Sequence, residues 1–149
     1  MEWSELGSYL GRPLFFGGVR NRSDLDVDDL ASSAVVLLWI EEEPRESSDD
    51  RDLIRRILGR APLAITLAGR WAHPCFDILL AMQSLDQPRP HTMTGVLGGS
   101  DIRESIEMFL CSVWPAEERW SEWSRYLIAV VGEASMCDLV RAEALEIIR

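Results

Sequence analysis

The chain has no lysine: all 15 of its basic residues are arginine. Against them stand 25 acids, so the formal net charge is −10 over 149 residues. That balance argues against nucleic acid and anionic lipid as partners, because binders of polyanions concentrate positive charge. Without lysine there is no phosphate-binding P-loop lysine. Histidine occurs twice, and the cysteines, Cys75, Cys111 and Cys137, form no C-x-x-C pair. An odd, scattered set is neither a disulfide framework nor a zinc signature, so no metal and no cofactor are expected. No apolar run approaches the roughly 18 residues of a membrane span. The opening Met1-Glu2-Trp3-Ser4-Glu5 is acidic and lacks the basic and apolar regions of a signal peptide. The expected location is a reducing cytoplasm. The expected partner is a protein with a basic surface, which an acidic chain attracts over a distance.

What is present is a repeated pattern. The length suits one domain, residues 1–149. Apolar runs near 35–40, 63–68, 92–97 and 126–131 each lead through a polar or glycine-containing turn into a helical stretch. Leu53, Ile54, Ile57 and Leu58 share a helical face after Ser48. Pro74 suits a first helical position before the apolar run from Phe76 to Met82. Asp101 with Glu104, and Ser135 with Asp138, read as capping boxes. Behind them, Ile106, Phe109 and Leu110 form one apolar stripe; Met136, Leu139, Val140 and Ile147 form another. Fully apolar strands alternating with helices predict a three-layer α/β/α domain. Its sheet should be mainly parallel, with about four to five strands, Rossmann-like or flavodoxin-like. Outside the repeat, residues 2–10 are expected to form a short helix with Trp3, Leu6 and Leu10 on one side. Leu14-Phe15-Phe16 is expected as an edge strand ended by Gly17-Gly18, and a helix starting at Pro115 should carry Trp120 and Trp123.

In such sheets ligands bind outside the carboxyl ends of the strands. There Gly98-Gly99-Ser100-Asp101 offers backbone N–H groups and a helix N-terminus to a phosphate, although Asp101 repels an anion and a plain tight turn is the commoner meaning. Arg70-Trp71-Ala72-His73-Pro74-Cys75 is chemically varied. A thiolate at a helix start, with His73 or His91 as base and Asp77 to orient it, would be a nucleophile. The competing reading is a small buried cysteine. Asp24, Asp26, Asp28 and Asp29 imitate a calcium loop, but Asp29 and Val35 stand where glycine and a bidentate carboxylate are required.

The segment from Glu41 to Asp52 holds seven acids, with Glu41, Glu42, Glu43 and Glu46 as candidate docking residues for a basic partner. Trp114, Trp120 and Trp123 are candidate aromatic anchors; the alternative is that they roof the core.

The stretches Ala61-Pro62 through His73-Pro74-Cys75-Phe76-Asp77, Phe109-Leu110 through Trp114-Pro115, and Tyr126 to Gly132 resemble a family of short uncharacterised bacterial α/β proteins. The resemblance implies the α/β fold and no particular activity. The leading expectation is a non-enzymatic acidic protein-binding module, of the kind that immunity and antitoxin proteins represent. The alternative is a small-ligand or nucleotide-handling domain, an enzyme among the options, whose site would use Arg70, His73, Cys75, Gly98, Gly99 and Ser100.

Overall fold

Runs such as Ala34–Ile40 have no polar face, so they bury both sides only if helices cover the sheet above and below. The computed structural model, which describes residues 1–31, 33–46, 48–85, 92–98 and 101–149, has that arrangement. In chain order its elements are β1 (Ser4–Tyr9), β2 (Arg12–Val19), α1 (Val27–Leu30), β3 (Ala34–Ile40), α2 (Asp49–Gly59), β4 (Ala64–Ala68), α3 (Ala72–Leu85), β5 (Met93–Val96), α4 (Ile102–Ser112), β6 (Arg125–Val131) and α5 (Ala134–Ile148). Single 3₁₀ stretches lie at Arg22–Asp24 and Glu117–Glu122. The strands form one six-stranded sheet in the order β1-β2-β6-β3-β4-β5. Every pairing is parallel except β1 with β2.

Alternation along β3 and β6 divides the core. Val35, Leu37, Trp39, Tyr126, Ile128 and Val130 face Ile106, Phe109 and Leu110 of α4 and Val140 and Ala144 of α5. Val36, Leu38, Ile40, Leu127, Ala129 and Val131 face α1, α2 and α3 through Leu30, Leu53, Ile54, Ile57, Ala72, Cys75 and Leu79. Helices therefore lie on both faces, and β3 and β6 at the sheet centre are nearly all buried.

The amino-terminal segment departs from expectation. Residues 4–9 form the edge strand β1, not a helix, and the sheet has six strands. The pairing register shifts between Glu5 and Gly7. That irregularity lets Leu6 and Tyr9, three residues apart, both pack on the α4/α5 side. A bulge thus imitates the i, i+3 spacing of a helix. The turn Leu10-Gly11 has positive φ at both residues, 49° and 80°, the backbone of a tight hairpin. Leu14-Phe15-Phe16 is an interior strand, and Gly17-Gly18 continue it. A Cβ on Gly17 would come within 2.8 Å of Met1 and 2.9 Å of Trp3, and one on Gly18 within 2.7 Å of Cys137 Sγ. Those glycines allow close packing over the strand; they do not end it.

Other local expectations shift slightly. Asp101 caps α4, its carboxylate accepting from Arg103 N and Glu104 N. Glu133, not Ser135, precedes α5, and it makes no side-chain cap. Pro74 is the third residue of α3, where its missing N–H is still harmless. Leu80 and Leu139 are exposed. The helix expected from Pro115 is only the 3₁₀ stretch Glu117–Glu122, in which residues three apart eclipse.

Candidate functional site

The sheet register places two sets of residues at opposite ends of the molecule. At the carboxyl ends, Val19 of β2, Val131 of β6 and Ile40 of β3 are level. The residues that follow, Arg20, Gly132 and Glu41, therefore meet. Gly132 makes this possible, since a Cβ there would stand 3.1 Å from Glu41 Cβ. Glu41 N and Glu42 N both donate to Val131 O, at 2.9 and 3.1 Å. Glu41 Oε1 accepts from Trp39 Nε1 at 2.8 Å and from Arg70 N at 3.3 Å. Gly69, at φ 95° and with Ile40 O only 2.7 Å from where a Cβ would sit, carries the chain across to place Arg70. The result is a cleft of about 500 Å³ lined by Arg20, Glu41, Glu42, Glu43, Arg45, Arg70 and the start of α5.

Next to it lies a charged recess of about 400 Å³ against α2. Arg22 is buried there. Its Nε donates to Asp50 at 2.7 Å and its Nη1 to Glu42 at 3.1 Å. Arg45 N and Glu46 N donate to Asp49. Of the acids expected to dock a partner, Glu41 and Glu42 are thus occupied in holding the loop, while Glu43 and Glu46 are exposed.

The alternative ligand residues are separated. Arg70 joins the cleft. His73 is exposed and sits beside Gly98, where a Cβ would lie 3.7 Å from His73 Nε2. Gly99, Ser100 and His91 lie outside the described residues. Cys75 is fully buried. Burial, with Asp50 adding and Arg22 opposing, pushes its thiol up to about 12, the reverse of an activated nucleophile. The aspartates of the calcium-like stretch have structural tasks: Asp26 caps α1, Asp28 pairs with Arg60, and Asp29 accepts from Trp3 Nε1. Among the described residues, no group of three or more His, Cys, Asp or Glu is placed to hold a metal ion.

At the amino ends of the strands the tryptophans gather. Arg119 anchors their 3₁₀ turn from within, its Nη1 donating to Pro62 O at 3.2 Å and its Nη2 to Ala61 O at 3.1 Å. Trp123 is nearly buried. Its Nε1 donates to Arg125 O, and its ring meets Tyr126 at 5.4 Å and Trp120 at 5.0 Å, both edge-on. Arg12 lies 3.8 Å over that ring and donates from Nε to Trp123 O. Trp123 therefore roofs the core, whereas Trp114 and Trp120 are 48% and 45% exposed. Together with Tyr9, Leu10, Arg12, Leu110, Cys111, Val113 and Tyr126 they line an apolar groove of about 290 Å³.

The sequence offers no reason to place Leu10, Arg12, Tyr9 or Cys111 in a site, and the acids Glu117 and Glu118, exposed on the Trp120 turn, were not among the expected docking residues. The acids were legible in the run Trp114-Pro115-Ala116-Glu117-Glu118-Arg119-Trp120, where acid and aromatic interleave. The seven residues of β3, roughly 20 Å of strand, separate this groove from the Glu41 cleft. Among the described residues no helix is long and apolar enough to cross a membrane. No protein-family model matches the chain, and no curated protein matches it.

Proposed function

We propose that the protein is a non-enzymatic protein-binding module that captures a basic partner, as immunity and antitoxin proteins do, and that the aromatic groove is its anchor. One observation carries this reading. Trp114, Trp120 and Leu10, the last 73% exposed, surround a single apolar groove. Large exposed apolar side chains clustered about a groove are the usual makings of an interaction hot spot. Glu117 and Glu118 beside them, and the net charge of −10, favour a partner segment with basic flanks. Glu43 and Glu46, at the far end and outside the groove, add attraction chiefly at low salt.

The test uses synthetic peptides in which one apolar or aromatic residue is flanked by arginines, titrated against the protein by tryptophan fluorescence. Saturable binding is expected. Trp120→Ala should weaken it about tenfold or more, as for a hot spot above 1.4 kcal/mol. Glu117→Lys with Glu118→Lys should slow association and flatten its salt dependence. Binding that ignores the tryptophan change, in protein shown folded by circular dichroism, would remove the groove from the reading. The absence of binding by any such peptide would count against the reading as a whole.

A second reading is favoured by the Glu41 cleft. It lies where β3 is followed by a helix on one face of the sheet and β6 by a helix on the other, the crevice where Rossmann-like and flavodoxin-like sheets hold small ligands. Arg20 and Arg70 on its rim suit a ligand with an anionic group, although four glutamates, Glu41, Glu42, Glu43 and Glu133, oppose one.

A further inference from the structure

We infer that the cleft at the carboxyl ends of the strands takes a small dicarboxylic α-amino acid, its ammonium between the glutamates and its two carboxylates on Arg20 and Arg70. This rests on the small-ligand reading of that cleft and is independent of the aromatic groove. Strand order lays the charges out. Arg20 follows β2, Glu133 follows β6, Glu43 follows β3 and Arg70 follows β4, and those strands lie side by side in the order β2-β6-β3-β4. All four residues are exposed, and all four line one cleft of about 500 Å³. Cation, anion, anion and cation therefore succeed one another across it, over roughly 14 Å for three strand spacings. Among the described residues none of the four makes an ion pair. The other charged groups of the cleft are engaged. Glu41 accepts from Trp39 Nε1 and Arg70 N, Glu42 pairs with Arg22, and Arg45 donates to Asn21. What stays open to a ligand is two cations flanking two anions.

Charge complementarity then sorts the occupants. A phosphate or a plain dicarboxylate would pair with the arginines and be repelled by Glu43 and Glu133. A nucleotide brings more negative charge to the same acids and finds no lysine. An amine would pair with the glutamates but stand beside two arginines. A metal ion lacks ligands, since among the described residues no group of three or more His, Cys, Asp or Glu is placed to hold one. An amino acid with a single carboxylate leaves one arginine unmatched. A dicarboxylic amino acid carries negative, positive and negative groups in the order that the cleft asks for. The long side chains of Arg20 and Arg70 close the remaining span from either side. The inner wall is fixed, because Trp39 holds Glu41 at 2.8 Å and Gly132 leaves Glu41 its space. The volume falls within the range of small-molecule pockets.

The whole protein is titrated with L-glutamate and L-aspartate, their amides L-glutamine and L-asparagine, the diacids glutarate and succinate, and inorganic phosphate, while the tryptophan indole N–H signals are followed by NMR. Trp39, whose Nε1 donates to Glu41, reads the cleft; Trp114 and Trp120 read the groove at the other end. We expect the dicarboxylic amino acids to shift the Trp39 signal saturably and leave Trp114 and Trp120 unmoved. The tighter of the two should bind about 3- to 10-fold better than its amide and than its diacid, the worth of one charged contact in a partly open cleft. Arg20→Gln and Arg70→Gln should each weaken it, and one of them should make acid and amide bind alike. Glu43→Gln with Glu133→Gln should make the diacid bind at least as well as the amino acid. All four positions are exposed, and circular dichroism checks that each variant is folded. Tightest binding of a diacid or of phosphate at Trp39 overturns the amino acid and leaves the small-ligand reading standing. An amide that binds as tightly as its acid removes the second carboxylate, and the inference with it. Binding that all four substitutions leave unchanged, or shifts confined to Trp114 and Trp120, overturn the inference by placing the ligand elsewhere. Binding of no probe overturns it and counts against the small-ligand reading of the cleft as well.

Discussion

The three thiols differ because their surroundings differ. Cys111 is exposed at the end of α4, with its Sγ 3.5 Å from Tyr9 Oη; Cys137 is half-buried against Gly18; Cys75 is closed inside the core under Arg22 and Asp50. A thiol reagent should therefore modify Cys111 fast, Cys137 slowly and Cys75 only as the protein unfolds. The pH dependence follows in sign. Burial raises the Cys75 thiol from 9.0 to about 12. Above pH 9 the unfolded chain loses this proton while the native protein keeps it, so the unfolded state binds fewer protons and stability falls as pH rises toward 12. The slope from one such group is at most about 1.4 kcal/mol per pH unit. Burial also raises Cys137 and Tyr126, with the same sign. Urea unfolding at pH 8 and pH 10.5 should show the loss, and Cys75→Ala should lessen it. Equal stability at both pH values would contradict the buried setting of these groups.

At the scale of elements, the hairpin tip shows a conflict between stability and exposure. Leu10 adopts φ 49°, a left-handed backbone that costs a non-glycine residue about 1–2 kcal/mol, and yet is 73% exposed. Leu10→Gly should stabilise the fold by up to about 1 kcal/mol, measured by chemical denaturation, and weaken peptide binding at the groove. Loss of stability would mean that the leucine packs more than its exposure suggests. The central elements were legible because their signals are local. Val35 to Ile40 and Leu127 to Val131 are continuous apolar runs, and Asp101 stands one residue before α4. β1 was not legible, because the bulge between Glu5 and Gly7 turns strand spacing into helical spacing. The Trp120 turn is shorter than the helix that its tryptophan spacing suggests. Its single 3₁₀ stretch is held by Arg119 reaching carbonyls about 58 residues away, which no local pattern announces.

At the scale of the molecule, the acidic loop and the tryptophans do not form one surface. They occupy opposite ends of β3 and β6, roughly 20 Å apart by strand rise. At physiological salt the screening length is about 8 Å, so charges at one end act weakly at the other. Charge reversal at Glu43 and Glu46 should change peptide association at the groove by less than about twofold at 0.15 M salt, with a larger effect at low salt. Stopped-flow kinetics would show this. A large effect at physiological salt would mean that the bound segment spans both ends.

The sequence by itself determined the α/β class, the parallel core strands, the helices behind them and the acidic character. Each depends on neighbouring residues or on a plain sum of charges. Only the tertiary structure decided which acids remain exposed, that Cys75 is sealed off, and that Trp123 is roof while Trp114 and Trp120 are surface. It also decided the groove. Tyr9 and Cys111, 102 residues apart in the chain, meet there because the β1–β2 hairpin lies beside β6 while α4 packs over the same face. Such a site is made by strand order and long-range packing, and no local spacing of residues encodes either one.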